Sequence, residues 1–149
     1  MRLSANQQRL VMNLWPTYRF AGIRIERIAP DWTEVDVRLR VRGLNRNAVG
    51  TAFGGSLFAM GDPFLMLMAM KQLGPEYVVW DKQAAIEFVR PGRGTVRGHF
   101  ALGADDVDLM RKATADGDKH LPWFEDVLTD ESGEVVARLR RQLYVRRKR

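Results

Sequence analysis

The stretch NAVGTAFGGSLFAMGDPFLMLMAM, residues 47–70, decides the fold. Residues 47–55 are rich in glycine and small polar side chains, which is typical of a loop. Residues 56–70 are apolar apart from Asp62, and a segment that is apolar on all sides is usually buried. This segment is too short to span a bilayer, which needs about 20 residues. The stretch therefore predicts a core helix that the rest of the chain covers.

Gly54 and Gly55 lie where this helix begins. Glycine lets a ligand approach the backbone closely, and the N–H groups of a first helical turn can hold an oxyanion or a polarised carbonyl. Asp62 lies about two turns further along, and a carboxylate in an apolar segment must be paired, hydrated, protonated or functional. A structural interpretation stays open, in which Asp62 caps a second helical piece that Pro63 begins after a kink.

Composition limits the class of protein. At 149 residues the chain has the size of one domain, which we expect to cover residues 1–149. Its hydrophobic content of 46% and charged content of 28% are those of a globular protein. The absence of cysteine excludes disulfides, zinc–thiolate sites and thiol catalysis. Residues 1–13 contain no apolar run typical of a signal peptide, so we expect a cytoplasmic location.

Positive charge is concentrated at the end of the chain. The formal net charge is +6, and seven basic residues but no acidic ones fall between Arg138 and Arg149. We interpret this run first as a solvated face, second as a site for a phosphate-bearing ligand, and third as a nucleic-acid contact. Nucleic acid ranks last because no aromatic platform or known motif accompanies the run. We therefore expect neither a nucleic-acid nor a membrane partner.

Periodicity predicts the remaining elements. A capping box at Ser4 opens a short amphipathic helix over residues 6–15, which Pro16 ends. The apolar stripe of this helix consists of Leu10, Val11, Leu14 and Trp15. A second small helix is predicted over residues 105–115. Strands are predicted from Ile23 and over residues 33–42, 77–90, 95–102, 123–129 and 134–146.

Alternation along these strands predicts their faces. The turn at residues 91–94 lets strand 95–102 pair back onto strand 77–90. One face of strand 77–90, interrupted by Lys82, holds Val78, Trp80, Ala84, Ile86 and Phe88. The inward face of the last strand holds Val135, Ala137, Leu139, Leu143 and Val145.

Together these elements predict an antiparallel sheet of about six strands around the central apolar helix. One sheet can cover only one side of a helix that is apolar all round. The other side needs a partner, so we expect a homodimer, or a homotetramer made of two dimers.

This order of elements, with a buried helix after the second strand, resembles the hotdog fold of acyl-CoA thioesterases and dehydratases. Many hotdog thioesterases of the phenylacetic-acid-pathway type carry N-x-x-G-x-x-H-G-G, with a carboxylate nine residues after the His. The matching residues here are Asn47, Gly50, Gly54, Gly55 and Asp62. Phe53 occupies the histidine position, and the segment is similar to a less characterised branch of the superfamily. The resemblance covers nearly the whole chain and implies an α+β hotdog domain.

The resemblance implies an acyl-CoA thioesterase that needs no metal and no cofactor. Asp62 would be the general base or nucleophile, the Gly54 N–H would polarise the thioester carbonyl, and Asn47 would help to hold the carbonyl or water. Burial of Asp62 would make it a better base near neutral pH. Further substrate contacts are assigned to Gly55, Thr51, Ser56 and Phe53. In the family, the glycine and the carboxylate usually come from different subunits of the dimer.

Several alternatives remain open from the sequence. Without the motif histidine, the chain could bind an acyl-thioester or a fatty acid without catalysis. Thr51 and Ser56 could bond to the loop backbone instead of to substrate. His99 is expected on the surface and His120 in a loop, and Lys82 is expected to pair with an acid. The methionines of the central helix (Met60, Met66, Met68 and Met70) are expected in the core, where they would suit a tunnel for a flexible acyl chain.

Overall fold

The computed structural model describes residues 3–148. The helices are α1 (Ala5–Leu14), α2 (Pro16–Ala21), α3 (Gly54–Gly61), α4 (Phe64–Leu73) and α5 (Ala104–Ala113). The strands are β1 (Ile23–Ile28), β2 (Glu34–Arg40), β3 (Tyr77–Phe88), β4 (Thr95–Ala101), β5 (Lys119–His120), β6 (Trp123–Thr129) and β7 (Val135–Arg147). The predicted α+β class is confirmed. The sequence prediction did not include α2 or β5.

The strands form one antiparallel sheet with the order β1-β2-β4-β6-β7-β3, and β5 pairs with the end of β7. The inner face of this sheet packs against α3 and α4. Its apolar side chains, such as Val37, Phe100 and Leu139, are fully buried. An antiparallel sheet wrapped around a central helical segment is the hotdog fold, so the predicted architecture is confirmed.

The two edges of the sheet differ in how they end. The edge strand β1 is covered by α1, because the Asn13 side chain donates to the Ile25 carbonyl (2.9 Å) and accepts from the Ile25 N–H (2.8 Å). The opposite edge strand, β3, pairs with β7 on one side and with no strand of residues 3–148 on the other. An unpaired strand edge is a ready site for pairing with another chain.

The predicted pairing of strand 95–102 with strand 77–90 is wrong. β4 lies between β2 and β6, whereas β3 lies at the far edge beside β7. The connecting residues do not close a hairpin, because their carbonyls bond to another segment: Gly92 O accepts from the Ala52 N–H and Gly94 O from the Val41 N–H, both at 2.8 Å. These bonds lead the chain away from β3.

The central helix is broken into two pieces. α3 ends at Gly61 and α4 begins at Phe64, with Asp62 in extended conformation between them. Proline cannot donate a backbone hydrogen bond, which explains a break at Pro63. The predicted kink is therefore confirmed, but Asp62 does not cap α4, since no side chain caps that helix. No helix in the described part of the chain has the length and apolar character to cross a membrane.

β3 contains a bulge that reverses its side-chain alternation. The pairing with β7 shifts between Asp81 and Gln83, which leaves Lys82 unpaired. An extra residue moves every later side chain to the opposite face. Asp81 therefore lies on the inner face opposite Leu143, whereas Trp80 stacks on Tyr144 on the outer face (centroids 4.0 Å apart). The predicted common face of β3 is wrong for Val78 and Trp80.

The capping box of α1 is confirmed, because the Ser4 and Gln7 side chains bond reciprocally to backbone N–H groups. The apolar stripe of this helix faces solvent, since all four of its members are exposed: Leu10, Val11, Leu14 and Trp15. The helix packs through Ala5 and Met12 instead. The stripe therefore adds to the apolar surface that a single chain leaves uncovered.

Candidate functional site

The loop before α3 is held by one asparagine side chain. Asn47 Oδ1 accepts from the N–H groups of Val49 (3.1 Å) and Thr51 (3.0 Å), and Asn47 Nδ2 donates to Thr51 Oγ1 (2.9 Å). Gly50 has a φ of 78°, a conformation that favours glycine. Asn47 and Thr51 therefore fix the loop backbone. For Thr51, this contact supports the loop alternative that the sequence left open.

Gly54 begins α3 beneath an aromatic ring. A Cβ at this position would lie 2.8 Å from Cζ of Phe88, so a larger residue would displace the ring. Within residues 3–148, the Gly54 and Gly55 N–H groups have no hydrogen-bond acceptor, as expected for a first helical turn. A cavity of about 420 Å³ opens here, lined in part by Asn47, Thr51 and Gly54. The predicted loop residues thus share a cavity with free backbone donors.

The break between α3 and α4 leaves helix carbonyls that two distant side chains satisfy. The Tyr18 hydroxyl bonds to the carbonyls of Ala59 and Asp62, both at 3.3 Å. Arg141, on β7, donates through Nη2 to the carbonyl of Phe58 (3.2 Å). A cation is favourable at the C-terminal end of a helix. Arg141 and Tyr18 therefore fix the chain at Asp62.

Arg141 also forms an ion pair with Asp62. Arg141 Nη1 lies 3.1 Å from Asp62 Oδ1. The arginine side chain is only 3% exposed, whereas the aspartate side chain is 60% exposed. Gly61 permits this approach, since a Cβ there would lie 2.4 Å from Cδ1 of Leu139. The expected burial of Asp62 is wrong for the single chain, because the helix break turns its carboxylate outward.

Two further carboxylates face the inner side of the sheet near Arg141. Asp81 Oδ2 lies 3.9 Å from Arg141 Nη1, and Asp81 Oδ1 is buried with no hydrogen-bond partner in residues 3–148. Burial raises the pKa of Asp81, which Arg141 opposes and Asp62 reinforces. Burial also raises the pKa of Asp126 to about 6, against the opposing effects of Arg141 and His99. We name these four residues, Asp62, Asp81, Asp126 and Arg141, the inner charge cluster.

The structure does not bring the two halves of the predicted site together in one chain. Gly54 and Asp62 stand at opposite ends of α3, about 12 Å apart at 1.5 Å per residue. Asn47 and Thr51 lie with Gly54, whereas Asp62 lies with Arg141. One chain therefore carries two half-sites: backbone donors at the start of α3 and the inner charge cluster at its end.

The remaining candidates occupy mixed positions. Phe53 is 57% exposed, and its ring lies over Gly55, where a Cβ would contact Cε1 at 2.4 Å. Ser56 is buried in the first turn of α3. The expected surface position of His99 is confirmed, and its Nδ1 contacts Asp36 Oδ1 at 2.6 Å. The pairing expected for Lys82 is wrong, since this side chain is exposed and forms no ion pair with a described residue.

The basic end of the chain is largely paired. Arg138 contacts Glu87, Arg140 contacts Glu125 and Arg147 contacts Glu76. Arg149 lies outside the described residues. Met60 and Met68 are buried as expected, whereas Met70 is exposed.

The sequence analysis missed Arg141, Asp81 and Asp126, and a signal existed for two of them. Arg141 falls between Leu139 and Leu143 in the inward series of β7, where a charged residue breaks the apolar pattern. Asp81 gave no such signal, because alternation counted back from Ala84 and Ile86 across the bulge at Lys82 predicts the outer face for it. Asp126 lies between Phe124 and Leu128 in β6 and breaks that strand's alternation in the same way as Arg141.

Solved structures of several proteins resemble this chain over nearly its full length. A protein of unknown function from Pseudomonas aeruginosa, described as a probable thioesterase, is 24% identical with a TM-score of 0.87, covering 99% of this chain and 98% of that one. A thioesterase from Haemophilus influenzae is 14% identical with a TM-score of 0.69, covering 97% and 92%. The PaaI protein from the phenylacetic acid degradation operon of E. coli is 16% identical with a TM-score of 0.64, covering 95% and 91%. At these identities the likeness establishes the shared fold.

A comparison with curated proteins finds no match to this sequence. A family match covers residues 4–145, which is nearly the whole chain. The chain therefore belongs to the family described as Domain of unknown function (DUF4442).

Proposed function

We propose that this protein hydrolyses acyl thioesters, with acyl-CoA as the substrate class. One observation carries the proposal: α3 begins with free backbone donors at Gly54 and ends at a carboxylate, Asp62, held by Arg141. Backbone N–H groups suit a polarised carbonyl, and a fixed carboxylate suits the activation of water. The solved structures described as thioesterases support the same reaction class.

In the proposed reaction, water attacks the carbonyl carbon of the thioester. Asp62 takes the proton from this water, and the Gly54 N–H bonds to the oxyanion that forms. The carbon–sulfur bond then breaks, and the proton passes to the leaving thiolate, which gives a carboxylic acid and a thiol. Asn47 acts as a positioning residue, because it holds the loop that leads into Gly54. Arg141 orients Asp62 in the same sense.

A complete site requires two copies of the chain. The carbonyl and its attacking water must lie about 3 Å apart, whereas Gly54 and Asp62 of one chain are about 12 Å apart. The unpaired edge of β3 suits pairing with a second copy. Partly uncovered apolar side chains on α3 and α4, including Phe58 and Leu67, suit the same interface. We therefore propose a homodimer in which Gly54 of one copy faces Asp62 of the other, with a homotetramer as the larger assembly.

Hydrolysis of an acyl-CoA panel, followed by release of free thiol, tests the reaction. The panel should include short, long and aromatic acyl groups, because the acyl specificity is open. We expect turnover on at least one member of the panel. Absence of turnover on every member, with folded dimer present, would overturn the proposal.

Light scattering tests the assembly. We expect a mass of at least twice the 17.1 kDa of one chain at moderate salt. A stable, folded monomer would contradict the two-chain site. The same sample should be used for the thiol-release assay, so that activity and assembly are compared directly.

Binding of an acyl-thioester or fatty acid without turnover is the second candidate function. Two observations favour it: Phe53 occupies the histidine position of the motif, and Asp62 Oδ1 is already engaged by Arg141 Nη1 at 3.1 Å. This function predicts saturable binding of acyl-CoA with no release of thiol. A measurable kcat on the same ligand would exclude it.

A further inference from the structure

A groove lined by arginines lies away from both half-sites. It has a volume of about 680 Å³ and is bordered by α1 and the first two strands. The side chains of Leu10, Asn13 and Leu14 form part of its wall. Among residues 3–148, no acidic side chain lines it. We name it the arginine groove after its six basic residues, Arg9, Arg19, Arg24, Arg38, Arg40 and Arg42.

The positive charges in the arginine groove are poorly compensated. Arg24 lies directly opposite Arg38 in the pairing of β1 with β2, and like charges at opposite positions destabilise a sheet. Glu26 lies 2.8 Å from Arg38 Nε and compensates that residue. Arg24 and Arg40 have no ion-pair partner in residues 3–148. Arg19 and Arg42 likewise form no ion pair with any described residue.

Elsewhere on the sheet, most arginines of the described residues are paired with carboxylates. Arg27 and Arg97 contact carboxylates on the outer face of the same strands, and Arg138 and Arg140 do so on β7. Four guanidinium groups that lack an ion-pair partner in residues 3–148 are therefore gathered in one groove. An anionic ligand would remove the repulsion between them.

We propose that the arginine groove binds a nucleotide that carries at least two phosphate groups. A guanidinium group presents donors in a planar fork that matches phosphate oxygens, so several convergent arginines suit adjacent phosphates. Leu10 and Leu14 give the same groove an apolar wall, which suits a nucleoside base. The groove is concave, which favours a small ligand over a flat lipid surface. Coenzyme A belongs to this ligand class, but the inference does not rest on thioester hydrolysis, because binding is measured without turnover.

The test is calorimetric titration of the dimer or other native assembly with ADP, with acyl-free coenzyme A, and with adenosine as the phosphate-free control. The variant is Arg24→Gln/Arg40→Gln, which changes two exposed side chains of the groove. The matched control is Lys112→Gln/Lys119→Gln, which removes the same charge from exposed positions outside the groove. Thermal midpoints establish that both variants are folded.

We expect saturable binding of ADP or coenzyme A, no binding of adenosine, at least tenfold weaker binding in the groove variant, and less than twofold change in the control. Failure of both nucleotides to bind, or equal affinity in both variants, would overturn the inference.

Two further arms use phosphatidylglycerol vesicles and a single-stranded RNA. Binding of either one without nucleotide binding would also overturn it. Thiol release in the acyl-CoA panel with unchanged nucleotide affinity in the groove variant would leave the proposed function standing and remove this inference alone.

Discussion

Arginines on the two faces of β7 make the same kind of ion pair in different surroundings. On the outer face, Arg138 lies 3.4 Å from Glu87 and Arg140 lies 2.9 Å from Glu125, and all four side chains are more than half exposed. On the inner face, the side chain of Arg141 is 3% exposed and contacts Asp62. Each pair joins an arginine to a carboxylate, so the burial of the arginine is the variable that differs.

Burial decides what each pair contributes. An exposed ion pair contributes about 0 to 1 kcal/mol, because water and salt screen it. A buried charge that loses its partner destabilises a protein by about 3 to 5 kcal/mol, because no solvent replaces the lost contact. Arg141 also donates to the Phe58 carbonyl at the helix break, whereas Arg138 and Arg140 donate to no carbonyl in the described part of the chain. The inner arginine is therefore part of the fold as well as of the candidate site.

Removal of the Arg141 side chain should have the largest effect on the stability of the protein. We expect Arg141→Met to lower the free energy of unfolding by about 3 kcal/mol at pH 7, because Asp81 and Asp126 lose their cation. The measurement is chemical denaturation at pH 7, with Arg140→Met on the outer face as the matched control.

The loss should be smaller at pH 5, because Asp126, whose pKa burial raises to about 6, then binds a proton and no longer needs a cation. Replacing both acids as well, in Arg141→Met/Asp81→Asn/Asp126→Asn, should recover most of the stability. Equal destabilisation by Arg141→Met and Arg140→Met would show that an arginine's contribution to stability does not depend on the face of the sheet.

A substitution of Asp62 tests whether the Asp62–Arg141 pair takes part in the proposed reaction. If Asp62 is the base, Asp62→Asn should lower kcat by roughly 100-fold, since an amide cannot take the proton from water. Stability should change by less than about 1 kcal/mol, because the Asn oxygen can still accept from Arg141. The outer carboxylate supplies the control, Glu125→Gln, which should keep full turnover. Full activity in folded Asp62→Asn protein would show that the Asp62–Arg141 pair has a structural role only.

Much of the fold could be predicted from the sequence because its signals are local. Alternation marked β2 and β7, the capping box marked α1, and the apolar run marked the central helix. The pairing of β4 could not be predicted in this way. It depends on backbone bonds from the 91–94 turn to Val41 and Ala52, which are distant in sequence.

Only some residues of the candidate site could be predicted from the sequence. Gly54 could be found because glycines at a helix start have a sequence signal, whereas Asn47 was found through the resemblance to the hotdog thioesterase motif. The inner charge cluster depends on a bulge at Lys82 and a helix break at Pro63, which together set where Asp81 and Asp62 point. A single inserted residue in a strand reverses all later faces, so simple alternation gives the wrong face for Asp81.

The buried carboxylate of Asp126 should make the stability of the protein depend on pH. Burial raises the pKa of Asp126 from its ordinary 3.8 to about 6, so the folded protein holds this proton more tightly than the unfolded chain. The free energy of unfolding should therefore fall as the pH rises from about 4 through 6. Asp126→Asn should raise stability at pH 7.5 by on the order of 1 to 2 kcal/mol and leave it unchanged below pH 4. Denaturation curves at both pH values check this, with Glu125→Gln as the exposed neighbour; an equal effect at both pH values would contradict it.

The smallest effects should come from the outer arginines themselves. Arg138→Gln should change the free energy of unfolding by less than about 0.5 kcal/mol, because its contact with Glu87 is long and exposed. Arg140→Gln should cost about 0.5 to 1 kcal/mol, since Arg140 is closer to Glu125 and also lies over the Trp123 ring, 5.1 Å from its centroid. Addition of 0.5 M salt should weaken the Arg138 contact further, while the stacking of Arg140 on Trp123 persists. Thermal midpoints at low and high salt separate these contributions. A loss at Arg138 as large as the loss expected at Arg141 would mean that ion pairing alone, on either face, accounts for the role of these arginines.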